Sequence, residues 1–191
     1  MPPIVKYNRE GIISASYEIA QKEGMDSINA RRIAKELNCS VQPIFHNFTN
    51  MKELKKAVYD KIYQTYLEYM RKGSEEEQAY KGMGLAYINF AKYYPEFFKI
   101  LFMQKTTLNA ENFILADDQG DEVIRKGQTL TGLNFESQKK FHVKVWIFTH
   151  GIACLVATQT IKISDKEIEE LLKTTVMEMV KGYKLRNEER K

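Results

Sequence analysis

The sequence predicts an all-α protein of about nine helices, and three observations carry that prediction. Apolar residues recur at helical spacing along most of the chain. Strand signals are weak: alternating β-branched runs are short, and neither Asn-Gly nor Asp-Gly, the strongest hairpin turns, occurs. Only four prolines, Pro2, Pro3, Pro43 and Pro95, interrupt the 191 residues.

The elements follow in order. A first helix fits Asn8–Lys22, with Ile12, Ala15, Tyr17, Ile19 and Ala20 as apolar positions and Gly24 as its stop. A second fits Asn29–Leu37. A short third follows Ser40, a natural N-cap. A fourth begins near Asn50 and runs to about Arg71. The polar run "KGSEEE" then interrupts the pattern, with Ser74 as N-cap of a fifth helix over Glu75–Tyr93. Met83, Tyr87, Phe90, Ala91 and Tyr94 recur there at helical spacing, and Leu85 and Ile88 add a second apolar side. Pro95 opens a sixth helix, "PEFFKILFM", where its missing N–H has no intrahelical partner to lose. Residues 104–135 resist assignment apart from a short helical piece, "LNAENFILADD", and are punctuated by Gly120, Gly127 and Gly132. A long helix follows over about Glu136–Ile161. "SDKE" at Ser164–Glu167 is a capping box and opens a last helix to about Tyr183, before a charged tail expected to fray.

Composition bounds the function. At 43% hydrophobic, 28% charged and 12% aromatic, the chain can bury a real core and is not disordered. No apolar run approaches the ~18–20 residues that span a bilayer, and "MPPIVKYNRE" lacks a signal-peptide apolar core. A cytoplasmic protein without a membrane partner is the expectation. Cys39 and Cys154, far apart and in no metal spacing, read as small buried thiols. The net charge of +4 is mildly basic and neither demands nor forbids a nucleic-acid partner. No HExxH, paired CxxC, Walker loop, GxGxxG or GxSxG occurs, and His46, His142 and His150 are scattered. Asp117 and Asp118 read as solvated loop charges. No catalytic residue, metal or cofactor is therefore expected.

The informative stretch is "SINARRIAKELNCSVQPIFHNF", Ser27–Phe48. Two short helices flank the turn "NCS" and present Ile33, Ala34 and Leu37 on one, and Val41, Ile44, Phe45 and Phe48 on the other. That is the outline of a helix-turn-helix. Its requirements are met at fixed offsets: small Ala34 at the crossing, Asn38 where the chain turns with φ > 0, and aliphatic Ile44 packing back. Pro43 falls in the first turn of the second helix, where it stiffens rather than breaks it and biases Gln42 toward an extended backbone; that helix starts at Ser40's cap, or only at Gln42 or Pro43. Val41, Gln42, Pro43 and His46 then mark the end that enters a major groove. Gln can read adenine and apolar groups can touch a thymine methyl. A helical hairpin with no DNA role satisfies the same local pattern.

Residues 9–54 resemble the N-terminal domain of the TetR family of transcriptional regulators, with landmarks Ala15, Gly24, Arg31, Ile33, Ala34, Ser40, Ile44, Phe48 and Leu54. The resemblance implies a helix-turn-helix DNA-binding domain over residues 1–50 and a helical ligand-binding and dimerisation domain over 51–191. It implies phosphate or groove contacts by Asn29 and Arg31, and recognition contacts by Ser40, Gln42, Pro43, Phe45 and His46. Two positions depart from the family. Phe45 stands where a phosphate-binding Tyr is usual, and Met51 where Lys is usual, with Lys52 beside it as the replacement contact.

"PEFFKILFM" and "WIFTHGIACL" resemble the family branch whose ligand-binding domain is named for a Trp-His-Gly signature, here Trp146, His150 and Gly151. In such a regulator Tyr66, Tyr87, Phe90, Tyr94, Phe98, Phe102, Phe113, Trp146 and His150 would line a pocket for a mostly apolar or aromatic small-molecule effector. Each of them also fits the role of ordinary core. The resemblance further implies a homodimer through the last two helices, with Ile168, Leu171, Leu172, Thr175, Val176 and Met179 as the stripe. A two-fold dimer matches a palindromic double-stranded operator with half-sites ~34–36 Å apart or a multiple of it. The expected function is transcriptional repression relieved by an inducer. The alternative is a helix-turn-helix regulator that takes no small ligand and answers to a protein partner.

Overall fold

The computed structural model describes residues 7–105 and 120–188. All regular structure among them is helical: α1 (Arg9–Glu23), a 3-10 turn (Met25–Ser27), α2 (Ala30–Leu37), α3 (Gln42–Asn47), α4 (Met51–Ser74), α5 (Ala79–Tyr93), α6 (Pro95–Phe102), α7 (Gly120–Thr131), α8 (Phe135–Ala157) and α9 (Asp165–Glu188). The all-α prediction holds. The piece predicted over Leu108–Asp118 lies outside the described residues. The chain packs as two units. One ends at Glu68 and includes Tyr94–Gln104; the other holds Tyr69–Tyr93 and the residues from Lys105 onward.

In the first unit the apolar faces of α1–α4 and α6 meet around Ile12, Ile19, Ile33, Ile44, Leu54, Val58, Ile62, Phe97 and Phe98, all fully buried. Short-range chemistry sets the ends of these helices. Asn8 caps α1, its Oδ1 accepting from the N–H of Gly11 at 2.8 Å, and Asn29 caps α2 by accepting from Arg32 at 2.9 Å. Gly24 ends α1 at φ 81°, ψ 173°, a backbone conformation essentially restricted to glycine.

In the second unit α5 lies between α8 and α9, with α7 against α8. Tyr87, Ile88, Phe90 and Ala91 of α5, Ile124 of α7, Phe141 and Ala153 of α8, and Ile168 and Leu172 of α9 are buried. The Ser164 capping box forms as expected: Ser164 Oγ accepts from the N–H of Glu167 at 3.3 Å, and the Glu167 carboxylate accepts from the Ser164 N–H at 2.8 Å.

Several boundaries differ from the sequence reading. Ser74 does not cap the fifth helix; it ends α4, its hydroxyl donating back to Arg71 O at 2.8 Å, and α5 starts only at Ala79. Gly73 allows this, because its backbone packs directly on that of Gly82 and a Cβ on either would strike the other's carbonyl. The stretch read as unassigned contains α7. Gly127 is helical within it because the amide of the buried Gln138 fills the space of its missing side chain. Gly132, at φ 71°, is a true stop. The long helix begins after the N-cap Asn134 and ends at Ala157, short of Ile161, where Gln159 turns the chain at φ 55°. The last helix continues past Tyr183 to Glu188.

Candidate nucleic-acid interface

The turn between α2 and α3 has the geometry its sequence requires. Asn38 sits in the left-handed region at φ 53°, ψ 52°. The N–H of Cys39 donates to Ala34 O at 2.9 Å and that of Asn38 to Lys35 O at 3.2 Å, the paired bonds of a Schellman ending. Asparagine tolerates this conformation without the cost a β-branched residue would bear. Ala34 and Ile44 are buried on either side of the turn.

Ser40 is not the N-cap of α3. Val41 holds that position with helical backbone angles and no side-chain cap bond. Gln42, expected to be biased toward an extended backbone before Pro43, is the first residue of the helix. The steric preference before proline is a bias, and burial of Ile44 and Phe48 one helical face away outweighs it.

α3 therefore buries Ile44, with Phe48 just beyond its end, and turns Val41, Gln42, Phe45 and His46 to solvent, with Pro43 half-buried. Phe45 is 51% exposed and Val41 40%. No carboxylate lies on the helix. Arg31 on α2 is exposed and forms no ion pair among the described residues, whereas its neighbour Arg32 is committed to Glu23 and Glu36, at 2.7 Å each. Lys52 is exposed in the first turn of α4. Asn29 and Ser40 are also exposed, though the Asn29 side chain is occupied in capping α2.

One residue that holds this surface in place escaped the sequence reading. Arg9 Nη1 donates to Asn47 O and to Glu53 Oε1, each at 2.9 Å, and its guanidinium lies 4.2 Å over the ring of Phe48. It thus ties the end of α3 to the start of α4. A bond from the Thr49 N–H, then the bond from Arg9, hold the Glu53 carboxyl below the usual carboxylate range. Asn47 adds a side-chain bond to Pro43 O at 2.8 Å. The partners of Arg9 lie 38 and 44 residues away, so no local pattern announces them.

The residues predicted to meet an effector fall in both units. In the first, Tyr66 stands edge-on to Phe102 with centroids 5.0 Å apart, Phe102 neighbours Phe98 at 5.3 Å, and Tyr94 stacks on Phe97. In the second, Trp146 stacks on His150 one turn along α8, centroids 4.5 Å apart, and the Tyr87 hydroxyl is 2.9 Å from His150 Nδ1. His150 Nε2 lies 3.3 Å from Cys154 Sγ, and burial holds the imidazole below its ordinary pKa. Phe90 packs against Tyr69. Phe113 lies outside the described residues. Two cavities of the second unit, about 530 and 400 Å³, are lined by other side chains: the larger by Lys72, Glu76, Asn89 and Glu169 among others, the smaller by Tyr80, Leu130, Val145, Leu172, Val176 and Met177 among others.

Of the predicted dimer stripe, Ile168 and Leu172 are buried within the single chain, while Thr175, Val176 and Met179 are half-buried. Leu171 is exposed, as are Ile147 and Leu155 on α8. Between the latter two sits Gly151, with nothing within 4 Å of where a side chain would begin.

No helix among the described residues is long and apolar enough to cross a membrane, and no group of three or more His, Cys, Asp or Glu among them could hold a metal ion. No protein-family model matches the chain, and no curated protein matches it significantly. Solved structures do. A TetR-like transcriptional regulator from Rhodococcus sp. RHA1 superposes with a TM-score of 0.66 at 12% identity, over 91% of this chain and 96% of that one. A Clostridium perfringens protein, to which regulation of fatty acid metabolism is ascribed, superposes with a TM-score of 0.61 at 11% identity, over 90% and 97%. The chain has the fold of TetR-like transcriptional regulators.

Proposed function

We propose that the chain is a dimeric, sequence-specific DNA-binding transcriptional regulator. The observation that carries this reading is the outward face of α3. A short helix anchored by Ile44, Arg9 and Asn47 presents Val41, Gln42, Phe45 and His46 with no competing carboxylate. Gln42 pairs with an adenine edge, and Ser40, Pro43 and His46 contact the same groove. Arg31, Asn29 and Lys52 hold phosphates and set the register. The free N–H groups at the start of α4 add a phosphate contact that offsets the absence of a tyrosine hydroxyl and of a lysine at Met51. Two-fold pairing of α8 and α9 places two such helices on a palindromic operator.

The second unit is the regulatory part, of the Trp-His-Gly type, and answers to a small apolar or aromatic effector. The aromatic content around Tyr87, Phe90 and Trp146 supports that chemistry, as does the lipid-related role ascribed to one structural neighbour. The effector stabilises a dimer whose α3 helices are wrongly spaced for the operator, and repression is relieved. No catalytic step is assigned, and the protein acts in the cytoplasm.

The test is selection of binders from a random duplex library, followed by gel-shift with salt titrated and random DNA as competitor. A discrete, competitor-resistant complex on a palindrome supports the reading. Binding that is salt-sensitive and blind to sequence refutes it.

A further inference from the structure

We propose that Phe45, flanked by Val41, reads the C5-methyl group of a thymine in each operator half-site. This rests on the DNA-binding reading and adds a specificity determinant to it. Val41 and Phe45 are four residues apart at the start of α3 and so project from one side of it. Both are exposed, Phe45 by 51% and Val41 by 40%, while Ile44 between them in sequence is fully buried. A half-exposed phenylalanine forgoes burial that the fold could have used, and this one is accompanied by a second exposed apolar residue, Val41, at the N-cap of the same six-residue helix.

The chemistry of a duplex narrows what such a ring can recognise. Phosphate oxygens and the nitrogen and oxygen atoms of base edges ask for donors or acceptors, and Phe45 has neither. A tyrosine here could bind phosphate; phenylalanine cannot. The apolar group that the major groove offers is the thymine methyl. Gln42 is exposed between the two in the same turn, so an adenine-reading amide and a methyl-reading ring lie side by side. The partner is therefore a duplex with a thymine beside the adenine that Gln42 contacts.

The experiment uses the full chain and the duplex recovered by random selection. If selection yields no sequence-specific duplex, the DNA-binding reading itself fails, and that outcome is separate from the rest. On the selected duplex each thymine is replaced in turn by deoxyuridine, which removes the methyl and nothing else. One position per half-site weakens binding about fourfold, the effect expected for losing contact with one methyl-sized apolar group. In Phe45→Ala that uracil penalty disappears, whereas Phe45→Leu keeps most of it. A flat uracil scan overturns the proposal. So does a penalty that persists unchanged in Phe45→Ala. Thermal unfolding of Phe45→Ala at the wild-type temperature shows that the fold is intact, as the exposure of the ring predicts.

Discussion

The half-buried pair Tyr80–His142 makes stability depend on pH. The Tyr80 hydroxyl lies 2.9 Å from His142 Nδ1 across α5 and α8. Burial pushes the Tyr80 phenol pKa up, so it stays protonated and is the donor. Nδ1 then accepts, and the imidazole is neutral with its proton on Nε2. Burial lowers the pKa of His142 from 6.5 to about 4. Unfolding restores the ordinary value. Between those two pH values the unfolded chain binds a proton that the folded chain does not, so stability falls as pH falls through this window. At about 1.36 kcal/mol per unit the whole shift is worth about 3 kcal/mol, and about 2 kcal/mol of it is lost by pH ~5. His142→Gln keeps an acceptor for Tyr80 and does not titrate. Urea unfolding of both proteins at equal concentration, from pH ~7.5 to ~5, isolates the term, since other titrating groups cancel in the difference. The stability of wild type relative to His142→Gln falls by about 2 kcal/mol over that range. A difference that stays level with pH refutes the reasoning and means the ring is hydrated enough to ionise in the folded state.

Three further outcomes are expected. Arg9→Ala loosens the joint between α3 and α4; it weakens specific DNA binding in gel-shift while thermal stability changes little, because the ion pair it removes is solvent-exposed and screened. Unchanged operator affinity would show that α3 is positioned without it. Gly151→Ala has open space for its methyl in the single chain and would there stabilise α8 by about 0.5–1 kcal/mol. If α8 pairs with its copy, Gly151→Trp yields a folded monomer by sedimentation, and a dimer that survives that change places the interface elsewhere. Gln42→Ala costs specific binding about 1–3 kcal/mol while leaving random-DNA affinity in place; equal loss on both removes Gln42 from base reading.

What the sequence determined by itself is what acts over three to five residues. Caps at Asn8, Asn29 and Ser164 and the left-handed turn at Asn38 are all contacts within about one helical turn. Apolar periodicity extended them to the all-α class, but on α3 it grouped Val41 and Phe45 with Ile44 and Phe48, and only the latter two are buried. Tertiary structure decided whatever depends on distant chain. α4 runs through Gly73 because Gly82 packs against it, and α7 forms across Gly127 because Gln138 fills the gap. In both places close packing outweighs a helix propensity deficit of about 1 kcal/mol per glycine. Ser74 lost its cap role and Val41 took Ser40's place because neighbouring helices set where each helix starts. The apolar stripe of α9 could be seen in the sequence, but only packing buried Ile168 and Leu172 and left Leu171 exposed. Helical spacing names a face, whereas the neighbour that covers it comes from another part of the chain.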